Sequence, residues 1–134
     1  MIAVFADTSF YMAFSNPRDR WHEAAKSFAL SYSGIMLTTE FVLVELANYL
    51  CAPQDRALFL RFHEMLRGDA RTSIVPASSE CIQKGLALYG ARPDKAWSLT
   101  DCISMSLMQE RGLTEALTMD HHFAQAGFHV LLQH

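Results

Sequence analysis

Long apolar runs are missing from this 134-residue chain. None approaches the roughly 20 residues a membrane-spanning helix needs, so no membrane role is expected. The start, Met1-Ile2-Ala3-Val4-Phe5-Ala6, has no basic leader and runs straight into Asp7, and so does not read as a signal peptide. Cysteine is scarce. Cys51, Cys81 and Cys102 are odd in number, widely spaced and without a Cys-x-x-Cys pair, which argues for a reducing, cytoplasmic setting and against a structural zinc site. Positive charge is also short: 11 lysines and arginines against 14 acids leave a net charge of −3, which counts against a general nucleic-acid binder. Most of the basic residues are arginine, which suits bidentate phosphate contacts, although a solvated surface explains them equally well. Repeats, linkers and low-complexity segments are absent too, so residues 1–134 read as one domain. What is present is a core: 51% of residues are hydrophobic and 19% charged, in a chain long enough to bury most of its unfolded surface.

Strand and helix signals alternate from end to end. Ile2 to Ala6 is a short continuous apolar run, suited to a strand buried on both faces. Asp7-Thr8-Ser9 opens a helix that Asn16-Pro17 closes, and Trp21 to Leu30 reads as an amphipathic helix with Ala24, Ala25 and Phe28 inward. Ile35 to Thr38 is a second strand. Glu40 to Cys51 follows as a helix apolar nearly all the way round and therefore expected to be buried. Pro53 fits the first turn of a helix over Gln54 to Arg67, with Gly68 ending it. Thr72 to Val75 reads as a strand, and Ser78 or Ser79 caps a helix that runs to Tyr89 and ends at Gly90. Ser98 or Thr100 caps the next helix, stopped by Gly112, and Glu115 to Thr118 is a strand. A helical turn over His122 to Ala126 and a last strand over His129 to Leu132 complete the chain. The alternation predicts an α/β fold with a parallel sheet of about 4–5 strands flanked by helices.

Four acids stand where acids are unexpected. Asp7 and Asp120 fall at the carboxyl ends of predicted strands, where parallel sheets bind ligands. Asp101 lies in a helix's first turn, where the dipole favours a negative charge. Glu45 lies inside an apolar helix, where a carboxylate is costly unless paired, with Arg56 or Arg61 as the structural alternative. Each alone is an ordinary cap, turn or surface charge. Together they are a cluster tolerated mainly around a hard cation, and oxygen-only ligation suits Mg²⁺ or Mn²⁺. Without the cation at least one of them should carry a raised pKa, and Glu45 should bear a desolvation cost.

Asp7-Thr8-Ser9 after the first strand, Glu45 in its helix, Leu99-Thr100-Asp101 and Thr118-x-Asp120-x-x-Phe123 together resemble the PIN domain, in its small bacterial VapC-like toxin form. The resemblance covers the whole chain in length, order and spacing. It implies a metal-dependent endoribonuclease, the toxin partnered by a small antitoxin, with Asp7, Glu45, Asp101 and Asp120 as metal ligands. Thr8, Ser9 and Thr118 would be polar support. His121-His122 departs from the basic residue often found there. Beside Asp120 the pair offers ligands for a transition metal, but adjacent histidines point apart on most backbones, so that reading is the lesser one. Cys102 reads as a core thiol, and Met105, Met108 and Met119 as packing. Trp97 reads as a buried edge residue, with stacking on a base of single-stranded RNA as the alternative.

Other classes fit less well. An aspartyl-phosphate phosphatase needs a second acid two residues after the first, where Ser9 stands. A receiver domain needs a lysine after a late strand, and none follows Lys95. A non-toxin PIN-type nuclease of RNA processing, or a non-catalytic interaction module, remains the alternative. Apolar residues of the Glu40 to Arg67 helices (Leu43, Tyr49, Leu50, Leu58, Phe59, Phe62) exceed what one small sheet covers, which predicts a homodimer or antitoxin interface.

Overall fold

The computed structural model describes residues 2–132. Its centre is β1 (Ala3–Ala6), in which Val4, Phe5 and Ala6 are almost wholly buried. The chain then runs through α1 (Thr8–Ser15), α2 (His22–Ser31), β2 (Ile35–Thr39), α3 (Glu40–Tyr49), α4 (Arg56–Gly68), β3 (Thr72–Val75) and α5 (Ser79–Ala91). It finishes with α6 (Leu99–Arg111), β4 (Glu115–Leu117), α7 (His121–Gln125) and β5 (His129–Val130). Every strand pairing is parallel, and the strand order is β3-β2-β1-β4-β5. From β1 the chain first builds outward through β2 and β3, then returns to the other side of β1 to lay down β4 and β5. The gap between the carboxyl ends of β1 and β4 is therefore the switch point of the sheet, where α/β folds form their binding crevice.

Local chemistry sets the helix ends. Thr39 caps α3 by accepting from the Val42 N–H, and Ser78 caps α5 by accepting from the Cys81 N–H. Ser98 caps α6, and Gly112 ends it at φ 68°, a left-handed conformation that suits glycine. Several expected boundaries move. Pro53 lies in a turn ahead of α4, which starts at Arg56 after the cap residue Asp55. Gly90 lies inside α5 and does not end it. Ala24 is exposed, and Ala25 alone is buried in α2.

The expectation that α3 is buried all round is overturned. Val42, Leu43 and Leu46 face the core, while Val44 is 58% exposed. A helix packed from one side by the sheet and α1 has a solvent face whatever residues occupy it. The apolar surplus of α3 and α4 is also smaller than expected. Leu43, Leu50 and Phe62 are buried, and Leu58 and Phe59 pack against the core; Tyr49 stays exposed, as do Val44, Leu60 and Met65. Among the described residues, no helix is long and apolar enough to cross a membrane.

Helices α5 and α6 approach closely at Gly85, where an added Cβ would collide with the Ile103 side chain and stand 3.1 Å from its backbone. Gly85→Ala is accordingly expected to destabilise the protein by about 1–2 kcal/mol, although alanine is the better helix former by about 1 kcal/mol. Denaturant unfolding reads this directly, and a gain in stability would show that the α5–α6 contact is loose.

Candidate active site

Asp7 follows β1 directly and occupies the N-cap of α1, yet its side chain makes no capping bond. Its Oδ2 accepts from the Thr118 hydroxyl at 2.9 Å, across the switch point. Thr118 is fully buried just past β4, and its Oγ1 also accepts from the Asp120 N–H at 2.9 Å. Ser9 closes the ring. Its hydroxyl lies 2.8 Å from Thr118 Oγ1 and accepts from the Met119 N–H at 3.0 Å. Because Thr118 donates to Asp7, the proton between Ser9 and Thr118 comes from Ser9. Three hydroxyl-bearing and carboxylate side chains thus tie the start of α1 to the turn after β4.

Thr8, in the first turn of α1, donates to Glu45 Oε1 at 2.5 Å. This is the partner Glu45 has in place of an arginine. Among the described residues no ion pair joins it to Arg56 or Arg61, and Arg56 donates instead to the Cys51 carbonyl. Asp101 is the third residue of α6. It forms a capping box with Ser98, accepting from the Ser98 N–H at 3.2 Å while its own N–H reaches Ser98 Oγ at 3.0 Å. Asp120 caps α7 through Oδ1, which accepts from the His122 N–H at 2.9 Å.

All four acids line one open cleft of about 690 Å³, with Thr8, Ser9, Ser98 and His122. A groove of similar volume, about 680 Å³, is lined mainly by apolar side chains of α1, α2 and α4 and lacks such a cluster. Burial falls hardest on Asp7, 4% exposed, where desolvation raises the pKa to about 7. The nearby carboxylates of Asp101 and Asp120 push the same way, against the Thr8 N–H and the Thr118 hydroxyl. Asp101 is raised as well, first by burial and then by Asp120, with Ser98 and His122 opposing. The desolvation cost anticipated for Glu45 thus sits on Asp7 and Asp101; Glu45 itself is only half-buried.

His122 is the residue that sequence reasoning undervalued. Its Nδ1 lies 3.2 Å from Asp101 Oδ2 and 3.2 Å from Asp120 Oδ1. Carboxylate oxygens only accept, so Nδ1 carries the hydrogen there. The expectation that the two histidines point apart is overturned: their rings stand 4.5 Å apart between centroids, and His121 Nδ1 also lies 3.8 Å from Asp120 Oδ1. Ligand atoms of Asp120, His121 and His122 all lie within 4.8 Å of one another, with His122 turned into the cleft and the His121 side chain 75% exposed. The available signal was position: a histidine two residues past a helix-capping aspartate sits in the first turn, within reach of that carboxylate. Cys102, beside Asp101, is 1% exposed, and burial followed by the Asp101 charge pushes its thiol pKa up, so it is a packing residue. Trp97 is buried, 6% exposed, with Nε1 donating to Gln125 Oε1.

Over 128 residues the chain is 29% identical to the 23S rRNA-specific endonuclease VapC20 of Mycobacterium tuberculosis, covering 93% of this chain and 95% of that protein. The crystal structure of VapC20, a Sarcin-Ricin loop cleaving toxin, superposes with a TM-score of 0.85 at 23% identity, over 93% of this chain and 95% of the other. A toxin–antitoxin complex from Klebsiella pneumoniae matches at a TM-score of 0.66 and 18% identity, covering 96% of each chain. The family model described as the PIN domain matches residues 4–129, from the first strand to the last, and the chain belongs to that family.

Proposed function

We propose that this protein is a divalent-metal-dependent endoribonuclease that hydrolyses RNA phosphodiester bonds in the cytoplasm as the toxin of a toxin–antitoxin pair. One observation carries the reading: Asp7, Glu45, Asp101 and Asp120 come from four separate elements and meet in one cleft at the switch point. The donor set fits Mg²⁺ or Mn²⁺, because every acid offers a hard oxygen. Asp7 fits for a second reason. A buried carboxyl with a pKa of about 7 is one that a neighbouring cation would return to its charged form.

In this reading the four acids hold the cation, and Thr8, Ser9 and Thr118 aim Glu45 and Asp7 at it. A divalent cation bound there activates a water and neutralises charge developing on a phosphodiester. The chain's own part is positional. Thr118 fixes Asp7 through a buried hydroxyl, Thr8 fixes Glu45, and Ser98 holds Asp101 in the first turn of α6. His122 keeps Asp101 and Asp120 from separating. The VapC20 likeness supports RNA as the substrate, and the likeness to a toxin–antitoxin complex supports a small antitoxin as partner. Exposed Val44, Tyr49, Leu60 and Met65 support a homodimer or antitoxin contact on α3 and α4.

The purified protein is expected to cleave single-stranded or looped RNA with Mg²⁺ or Mn²⁺ and to stop in EDTA. Inducing the chain in a bacterium is expected to arrest growth. Full cleavage in EDTA, after controls for contaminating nuclease, would sink the metal mechanism.

A further inference from the structure

The catalytic cleft has a charge problem that its own residues do not solve. RNA carries a negative charge at each phosphate, and proteins draw most of their affinity for it from arginine and lysine. Among the described residues lining the cleft, only His122 can carry positive charge. A second hollow, of about 520 Å³, adjoins it, and Ala96 lines both. Its walls include Tyr89, Arg92, Lys95 and Trp97.

These four side chains form an ordered arrangement. The Arg92 guanidinium lies over the Trp97 ring, 5.1 Å from its centroid. Two bonds of 3.0 Å, Nε to Asp94 Oδ1 and Nη2 to Asp94 Oδ2, hold the guanidinium plane in a fixed orientation. Trp97 is pinned beneath it by the bond to Gln125. Tyr89 is 53% exposed, an aromatic ring presented to solvent at the end of α5. Lys95 stands 4.0 Å from Asp94 Oδ2, on the same short segment that leads into the α6 cap. Aromatic rings and guanidinium planes are the surfaces on which proteins stack unpaired bases, and lysine meets phosphate as a point charge.

We infer that this hollow is a nucleotide subsite for single-stranded RNA: a base flanking the scissile bond stacks on Tyr89 and the Arg92 plane, and its phosphate meets Lys95. The subsite rests on the ribonuclease reading and extends it. With Asp94 offsetting one of its two cations, it adds one net positive charge and the stacking surface that the acid-lined cleft lacks, one short loop away.

The test is fluorescence anisotropy with a labelled single-stranded oligoribonucleotide and the full chain, in EDTA to prevent cleavage, across a salt series. Tyr89→Ala and Arg92→Ala are each expected to weaken binding roughly tenfold, within what one base stack contributes. Tyr89→Phe should bind as the parent does. Lys95→Ala should make binding less salt-dependent by about 0.7 in the logarithmic slope, one phosphate's worth on a single strand, whereas Tyr89→Ala should leave the slope unchanged. Should binding need metal, the same contrast is read as a raised KM for cleavage in Mn²⁺. A parent that binds and cleaves RNA while Tyr89→Ala and Arg92→Ala match it in affinity and KM overturns the subsite alone. A parent that neither binds nor cleaves RNA overturns the ribonuclease reading and the subsite with it. Displacement of the oligonucleotide by poly-glutamate as readily as by unlabelled RNA would overturn it too, and reassign the hollow to an acidic protein segment.

Discussion

Asp7→Asn is expected to abolish metal-stimulated RNA cleavage while leaving the fold intact. Asparagine keeps the shape, and its carbonyl oxygen can still accept from the Thr118 hydroxyl, so the ring through Ser9, Thr118 and the Asp120 N–H survives. What disappears is the charge. Outer-shell partners of metal ligands are worth about 10–100-fold in activity, so losing a ligand should cost more than roughly a hundredfold. The measurement is cleavage of a labelled RNA in Mg²⁺ and in Mn²⁺ by both proteins at equal concentration. A variant within tenfold of the parent would remove Asp7 from the site.

The same residue should govern how stability depends on pH. The folded protein holds the Asp7 proton up to about pH 7, whereas an unfolded chain releases it near 3.8. Between those values the folded state binds more protons than the unfolded state, so metal-free stability falls as pH rises through that window. The contribution is fully present below the unfolded value and gone above about 7. At about 1.4 kcal/mol per pH unit, this amounts to roughly 4 kcal/mol as an upper figure, and Asp101, also raised, acts in the same direction. Asp7→Asn should flatten the profile and be the more stable protein at pH 8 without metal. Saturating Mn²⁺ should restore the parent, because a ligand that binds only the folded state shifts the equilibrium toward it. Urea unfolding at pH 5 and pH 8, in EDTA and then in Mn²⁺, resolves all of these effects. A parent equally stable at both pH values in EDTA would mean that Asp7 bears no desolvation cost.

That cost shows what sequence could and could not convey. Asp7, Asp101 and Asp120 were legible because each sits at an element boundary that local signals mark: the end of an apolar run, a Ser-x-x-Asp cap, and a short strand before a helical turn. The parallel sheet was legible from the alternation of strand and helix signals. Which acid would be most buried was not legible, because it depends on packing between elements distant in sequence. Glu45 lies in the more apolar stretch, yet α3 turns it toward a half-open cleft and Thr8, while Asp7 lies at the buried floor of that cleft, at the switch point. Nor does a helix apolar on every face indicate which side turns outward, so the exposure of Val44 had no local signal. His122 was missed for a geometric reason. Neighbouring side chains on a regular helix diverge by about 100°, yet at the start of α7 both rings gather on Asp120, and of the two it is His122 that also reaches Asp101.

Calorimetric titration of Mn²⁺ into the metal-free parent protein at pH 7.5 shows whether the four carboxylates form a cation site. Asp7→Asn and Asp120→Asn would be titrated alongside. Saturable binding by the parent is expected, accompanied by proton release that changes the observed heat between buffers of different ionisation enthalpy, and at least roughly tenfold weaker binding by each variant. A parent that binds no Mn²⁺, or variants that bind it as tightly as the parent, would mean that these carboxylates form no cation site.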